Sequence, residues 1–84
     1  MQDNILEQID ERVREQCEID DDPDYTLDTH LFDAGYLDSL GGTELILFLE
    51  ETFGIEISQK DVVKYPMNTV REIAEVVERK LAQR

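Results

Sequence analysis

The stretch Gly35-Tyr36-Leu37-Asp38-Ser39-Leu40 decides the fold, because it marks the point at which a long acidic loop becomes a helix. A first turn containing Gly41 and Gly42 follows, and then an apolar run over residues 45–49. A serine hydroxyl at such a junction can cap the helix by accepting a hydrogen bond from a free backbone N–H group. The same position favours an anionic group such as a phosphate, because a helix N-terminus carries partial positive charge. Ser39 therefore has two interpretations, a helix cap or the site of an anionic group.

Apolar residues recur at helical spacing on both sides of this stretch. The spacing predicts amphipathic helices over about residues 3–17, 39–53 and 70–82, with a short helical turn that ends near Lys64. The sequence therefore predicts an all-α bundle of three main helices plus one short helix, forming a single domain over residues 1–84.

The connections carry signals for helix ends. Ser58 and Thr69 each precede an acidic residue at the spacing of a capping box, and Gly54 follows the second main helix as a C′ glycine does. The run of aspartates around Pro23 cannot continue the first helix, because proline lacks an N–H donor and the like charges repel. Four apolar residues are expected to hold the loop over residues 18–38 to the core: Leu27, Leu31, Phe32 and Leu37.

The net charge of −13 is unevenly distributed. Between Arg14 and Lys60 there is no lysine or arginine, whereas the same stretch contains thirteen acidic residues. Repulsion excludes nucleic acid and anionic membranes as direct partners. A partner protein with a basic surface is favoured instead.

Other functional classes are excluded by composition. The single cysteine, Cys17, permits no internal disulfide, and its place on the apolar face of the first helix predicts a small, buried hydrophobic side chain. The N-terminus has no signal segment, and the longest apolar run is far short of the ~20 residues that a membrane span needs. We therefore expect a monomeric cytoplasmic protein that does not insert into membranes.

Metal binding and catalysis are also disfavoured. The aspartates between residues 20 and 24 match no register of a calcium-binding EF-hand loop, which needs glycine at its sixth position. A serine hydrolase needs glycine two places before and after its nucleophile, but Leu37 stands before Ser39. His30 has no second histidine or cysteine nearby and is expected to be a surface loop residue. We expect no metal site and no enzymatic activity.

The second main helix presents a face that does not belong to the core. Leu45, Leu49 and Phe53 recur at i, i+4 and i+8 and should face inward. The remaining positions predict a docking surface of leucines surrounded by acids: Leu40, Thr43, Glu44, Leu47, Glu50 and Glu51.

The stretch Leu31-Phe32-Asp33-Ala34-Gly35-Tyr36-Leu37-Asp38-Ser39-Leu40 resembles the signature of acyl carrier proteins, in which Asp-Ser-Leu surrounds the attachment serine. The resemblance continues through Glu44-Leu45 and Phe53-Gly54-Ile55-Glu56-Ile57 to Thr69-Val70. It implies that Ser39 carries a 4′-phosphopantetheine arm, which a phosphopantetheinyl transferase takes from coenzyme A. It also implies that the arm holds an acyl or aminoacyl group as a thioester. The carrier presents this cargo to partner enzymes of fatty acid, polyketide or related biosynthesis and catalyses no reaction itself.

By the same resemblance, Asp38 and Leu40 belong with Ser39 to the site that binds the phosphopantetheine group, and Asp38 is part of what the transferase recognises. The resemblance also places Leu40, Glu44, Leu47, Glu50 and Glu51 on positions used for docking to basic partner surfaces. Tyr36 and the Gly41-Gly42 pair resemble D-alanyl and other aminoacyl carriers about as well as fatty-acid carriers, so the cargo stays open. The glycine pair should loosen the first turn or allow a partner close to the backbone. The alternative is an acidic helical interaction adaptor in which Ser39 is only a helix N-cap.

Overall fold

The computed structural model describes residues 2–20 and 22–83, with side chains from residue 5 onward. Within these residues the fold contains four helices and no strand: α1 (Gln2–Gln16), α2 (Ser39–Phe53), α3 (Gln59–Lys64) and α4 (Val70–Ala82). The predicted all-α bundle of three main helices plus one short helix is confirmed. That residues 1–84 form one domain stays a prediction, since Met1, Asp21 and Arg84 lie outside the described residues.

The core lies where the three main helices meet. α1 makes its largest contact with α4, and α2 packs against both of them. On α1 the spacing of Ile5, Ile9 and Val13 turns one apolar stripe inward, and all three side chains are buried. The largest fully buried side chains come from the main helices and from the long loop: Ile9, Leu31, Leu49, Ile73, Val13, Val70 and Val77.

The long loop over residues 18–38 is hydrogen-bonded to the connection between α3 and α4. Leu31 is fully buried, and its backbone N–H donates to the carbonyl of Asn68 at 2.8 Å. Leu37 is buried as well, and Leu27 is partly buried against the core. These three predicted anchors are confirmed.

Phe32 was expected to be a fourth anchor, and this expectation is wrong. Its side chain is 40% exposed, because the ring lies outside the core against the backbone of Gly42. A Cβ atom placed on Gly42 would stand 3.3 Å from the ring, so the absence of a side chain there makes room for Phe32.

Two tyrosines, Tyr25 and Tyr36, form hydrogen bonds in the loop that leads to α2. The Tyr25 hydroxyl donates to Asp10 of α1 at 2.6 Å, and the Tyr36 hydroxyl donates to Asp22 at 2.6 Å. The two rings meet edge to face with centroids 5.8 Å apart. Donation to Asp22 is the main cause that raises the pKa of Tyr36 to about 12. Tyr25 thus links the acidic loop to α1, and Tyr36 joins two parts of the loop shortly before Asp38.

The ends of the helices follow the sequence signals. Gly54 ends α2 in the left-handed conformation at φ 65°, which glycine adopts without steric cost. Capping boxes open α3 at Ser58 and α4 at Thr69, as predicted. The box on α3 has an added contact, because the carboxylate of Asp61 also accepts from the ammonium group of Lys80 on α4 at 2.7 Å.

The Asp61–Lys80 pair makes part of the acid stability depend on one carboxylate. Donation from Lys80 is the largest cause that lowers the pKa of Asp61 from 3.8 to about 2. A carboxyl group whose pKa is lower in the folded state stabilises the fold above its unfolded pKa, and this stabilisation is lost as the pH falls through the folded pKa. We expect the difference in melting temperature between wild type and Asp61→Asn to be full at neutral pH and to shrink between about pH 4 and pH 2.

The measurement is a melting curve at each pH for both proteins. Glu75→Gln serves as the control, since Glu75 is exposed on α4 and its carboxylate makes no hydrogen bond or ion pair with any described residue. A difference between wild type and Asp61→Asn that stays constant down to pH 2 would contradict the role of this pair.

Candidate attachment site at the start of α2

Asp38, and not Ser39, is the N-cap of α2. Its backbone is extended, and its carboxylate oxygen Oδ1 accepts from the N–H of Gly41 at 2.7 Å. Its backbone carbonyl accepts from the N–H of Gly42 at 2.8 Å. The interpretation of Ser39 as the cap is therefore wrong. Ser39 is the first residue inside the helix.

The Ser39 hydroxyl is left exposed. It forms no hydrogen bond with any of the described residues, whereas its backbone carbonyl accepts from the Thr43 hydroxyl at 3.0 Å. The hydroxyl therefore lies at the positive end of a fifteen-residue helix, where N–H groups and the helix dipole favour a phosphate.

Because Gly41 and Gly42 have no side chains, other residues of the chain pack closely against the first turn of α2. The side-chain amide of Gln16, at the end of α1, donates to the carbonyl of Gly41 at 2.7 Å. A Cβ atom on Gly41 would stand 3.1 Å from Leu37 Cδ2 and 3.3 Å from Asp38 Oδ1. The turn was expected to be loose or open to a partner. The contacts instead pack it against α1 and against Asp38.

Cys17 directly follows α1 and lies beside the same turn, where its side chain is only partly buried against the core and not fully buried as predicted. Burial is the main cause that raises the pKa of its thiol, and the carboxylate of Asp38 adds to the shift. A raised pKa favours the protonated thiol over the reactive thiolate.

An apolar cavity of about 380 Å³ lies between α2 and α3. Gly42 and Ile46 line it, and they follow Ser39 at i+3 and i+7 on the same side of α2. Phe32 lies at its wall above Gly42, and Val62 and Val63 of α3 form the opposite side. The lining of the cavity therefore begins one turn after Ser39 on α2.

Comparison with known proteins identifies the class of this site. Residues 7–77 match the protein family described as "Phosphopantetheine attachment site". The chain belongs to the acyl carrier protein family. Carriers of this family hold 4′-phosphopantetheine covalently, so this group is the cofactor of the chain.

Similar curated proteins are the D-alanyl carrier proteins of Streptococcus pyogenes serotype M5 (strain Manfredo), serotype M49 (strain NZ131) and serotype M1. Each is 48% identical over 52 residues. The match covers 62% of this chain and 66% of each relative, so it spans just under two thirds of their length.

The start of α2 fits the phosphopantetheine group of this carrier. Attachment needs a hydroxyl that is exposed and is not used for capping, and the side chain of Ser39 meets both conditions. The phosphate would lie at a helix N-terminus, which favours its charge. The carboxylate of Asp38 lies next to Ser39 but is directed to the N–H of Gly41.

Most of the predicted docking residues are exposed on the carrier. Leu40 is 69% exposed and Leu47 is 51% exposed, although both are large apolar residues. Thr43, Glu44 and Glu51 are exposed too. Their role in docking stays a prediction. Exposed leucines at the attachment end of α2 are consistent with a surface that a partner covers.

Glu50 differs from the other docking candidates. It is only half exposed, and its carboxylate accepts from the backbone N–H of Ile57 at 2.8 Å. This contact joins the last turn of α2 to the buried segment that follows Gly54. Glu50 therefore stabilises the fold, whatever it contributes to docking.

Three further expectations from the sequence concern His30, metal binding and membrane insertion. The His30 side chain is partly exposed in the loop, and its Nδ1 accepts from the N–H of Asp33 at 3.1 Å. Among residues 2–20 and 22–83, no three His, Cys, Asp or Glu side chains cluster as metal ligands. In that same part of the carrier, none of the helices has the length and apolar character needed to span a membrane.

The contact between Glu50 and Ile57 predicts different effects for two neighbouring glutamates. We expect Glu50→Ala to lower the free energy of unfolding by about 1–2 kcal/mol, because the amide of Ile57 loses a charged acceptor. Glu51→Ala should change it by less than about 0.5 kcal/mol, because Glu51 is exposed and unpaired within the described residues. Urea unfolding of both variants measures this, and equal effects would contradict the structural role of Glu50.

Proposed function

We propose that this carrier protein holds its 4′-phosphopantetheine arm on Ser39 and presents an aminoacyl or acyl cargo to partner enzymes. The observation that carries the proposal is the exposed hydroxyl of Ser39, which is free because Asp38 caps the helix. A family whose members carry this group needs such a hydroxyl, and the start of a helix suits the attached phosphate.

The phosphopantetheine group and the protein have different chemical roles. The bound arm supplies a terminal thiol on which cargo is held as a thioester. The chain's own residues supply the attachment hydroxyl, a helix end that favours the phosphate, and a surface for recognition. No catalytic role is assigned to the chain, because the enzymes that load and use the cargo perform the reactions.

The structure does not support the alternative of an acidic interaction adaptor in which Ser39 is only an N-cap. It required Ser39 to serve only as the cap of α2, but the carboxylate of Asp38 accepts the bond that a cap accepts. The proposed partners are a phosphopantetheinyl transferase and acyl- or aminoacyl-handling enzymes with basic docking surfaces. The monomeric state and the cytoplasmic location stay predictions.

For the cargo we propose D-alanine or another small aminoacyl group. The support is the identity of 48% with proteins named D-alanyl carrier proteins. The apolar cavity between α2 and α3 favours a second candidate, an acyl chain, because about 380 Å³ lined by residues such as Ile46 and Val62 is suited to hydrocarbon. Participation in fatty acid or polyketide biosynthesis would follow only from that second candidate.

Intact-mass spectrometry after incubation with a broad-specificity phosphopantetheinyl transferase and coenzyme A tests the attachment. We expect wild type to gain one arm and Ser39→Ala to gain none. Cys17→Ser and Ser58→Ala are the controls and should gain one arm, because Cys17 is partly buried and Ser58 belongs to the capping box of α3. An arm on the Ser39→Ala protein would overturn the proposed site.

The same mass measurement then separates the two cargo candidates. The protein bearing the arm is offered to an enzyme that activates D-alanine and to one that activates medium-chain fatty acids, each with its substrate. We expect the mass of a D-alanyl group to appear. Loading of the fatty acyl group alone would reject the D-alanyl proposal in favour of the second candidate.

A further inference from the structure

Gln16, the last residue of α1, joins that helix to the first turn of α2. Its side-chain amide donates to the carbonyl of Gly41 at 2.7 Å, across 25 residues of sequence. The N–H of Gly41 donates in turn to the carboxylate of Asp38, also at 2.7 Å. Gly41 is therefore held through both its carbonyl and its N–H, by two side chains that lie outside α2. Ser39 lies between Asp38 and Gly41 in sequence, within the segment that these two contacts hold.

The side chain of Gln16 is itself oriented by α1. Its oxygen Oε1 accepts from Nε of Arg12, one turn earlier, at 3.3 Å. The guanidinium of Arg12 lies 4.9 Å from the centre of the Phe48 ring of α2. Because Oε1 faces a donor, the amide nitrogen is the end that donates to Gly41. Arg12 and Gln16 therefore connect α1 to α2 at two points, the ring of Phe48 and the carbonyl of Gly41.

The end of α1 is closed by the residues that follow it. Glu18 has a φ of 55°, a left-handed conformation that carries a steric cost for a residue with a side chain. The next residue, Ile19, is buried, and its N–H donates to the carbonyl of Arg14 at 2.8 Å, as in a Schellman motif. Gln16 therefore lies in a helix end that is closed by its own hydrogen bonds and followed by a buried anchor.

The first turn of α2 has little helical preference of its own. It contains Gly41 and Gly42, and only proline is less favourable than glycine in a helix. The first N–H groups of any helix also lack partners within it. A Cβ atom on Gly41 would stand 3.3 Å from Nε2 of Gln16, so the absence of a side chain there gives the amide its room. The turn therefore lacks helical preference at the residue that Gln16 approaches, and the hydrogen bond from Gln16 opposes the fraying of this turn.

We propose that Gln16 is a positioning residue for the transfer of the phosphopantetheine arm to Ser39. The inference rests on the proposed function, because it takes Ser39 as the acceptor. In the transfer, the oxygen of the Ser39 hydroxyl bonds to the phosphorus of coenzyme A that bears the pantetheine. The adenosine bisphosphate part leaves with the electron pair of the broken P–O bond, and the hydroxyl proton passes to a base of the transferase.

Gln16 acts on this step through Gly41 and not on the reacting atoms. Its hydrogen bond keeps the first turn of α2 ordered, so that the Ser39 hydroxyl stays in one orientation toward the incoming phosphorus. Order in this turn raises the fraction of bound carrier that is placed to react, which affects kcat. The surface that binds the transferase is the same with or without the bond, so KM is not affected.

Amide hydrogen exchange in the carrier before arm transfer tests the effect of Gln16 on the turn. Gln16→Met keeps a side chain of similar length but cannot donate to Gly41. We expect the amides of Gly41 and Gly42 to exchange about fivefold faster, since one ordinary hydrogen bond is lost, and the amide of Leu49 to be unchanged. Gln8→Met is the matched control, because Gln8 is exposed on α1 and its side chain forms no hydrogen bond with any described residue. Equal exchange in the two variants would overturn the proposal.

The rate of arm transfer tests the effect of the turn on the reaction. We expect Gln16→Met to lower kcat about threefold while KM stays within about twofold of wild type, and Gln8→Met to match wild type in both. An unchanged kcat, or a loss confined to KM, contradicts the positioning role. Should Gln16→Met fail to fold in a melting experiment, Gln16→Ala replaces it in both measurements.

A second substitution distinguishes order of the turn from direct contact between Gln16 and the transferase. Alanine in place of Gly42 favours the helix. Its Cβ atom would stand 3.3 Å from the Phe32 ring, which is exposed and has space to move aside. We expect Gln16→Met/Gly42→Ala to recover most of the lost kcat, and Gly42→Ala alone to stay within about twofold of wild type. A double variant as slow as Gln16→Met would mean that the amide itself meets the transferase, and the proposal would be rejected.

Failure of the positioning proposal is separable from failure of the attachment proposal. The final extent of arm transfer to wild type reports on attachment at Ser39, whereas the exchange rates need no transferase and report on Gln16 alone. A wild type that gains no arm on Ser39 rejects the proposed function and the positioning role together. An arm on Ser39, with equal exchange in Gln16→Met and Gln8→Met, overturns the positioning role alone.

Discussion

The hydrogen bond from the Gly41 amide to the Asp38 carboxylate, at 2.7 Å, is the interaction on which the site depends. It caps α2 and so removes the need for the Ser39 hydroxyl to do so. Leu37, directly before the cap, is buried, and the side-chain amide of Gln16 at the end of α1 donates to the carbonyl of Gly41. A helix start fixed from both sides leaves one exposed hydroxyl at its positive end, which is the geometry that a phosphate-bearing arm requires.

Much of the fold could be predicted from the sequence because its signals are local. The apolar spacing located the helices, and the boxes at Ser58 and Thr69 located the starts of α3 and α4. The exposure of Leu40 and Leu47 also followed from helical periodicity, since the inward positions of α2 were already occupied by Leu45 and Leu49. Each of these inferences needs only the few residues around the feature.

The features that could not be predicted depend on a choice between two residues that cap equally well, or on contacts between residues distant in the sequence. Asp and Ser cap helices about equally well, so the sequence alone does not decide which of the adjacent residues Asp38 and Ser39 is the cap. The sequence predicts Phe32 as a core residue, but the absence of a side chain at Gly42 makes room for its ring outside the core. The acceptor role of Glu50 arises because the chain turns back at Gly54 and brings the amide of Ile57 to it. For Phe32 and Glu50, the missing information is a tertiary contact with residues elsewhere in the chain.

The central claim is that Asp38 stabilises the start of α2 and Ser39 does not, and unfolding in urea tests it most directly. The account predicts that Ser39→Ala changes the free energy of unfolding by less than about 0.5 kcal/mol, because no contact of its hydroxyl is lost. Asp38→Ala should lower it by about 0.5–2 kcal/mol, and Asp38→Asn, which can still accept from Gly41, should stay near wild type. A Ser39→Ala variant as unstable as Asp38→Ala would contradict the account.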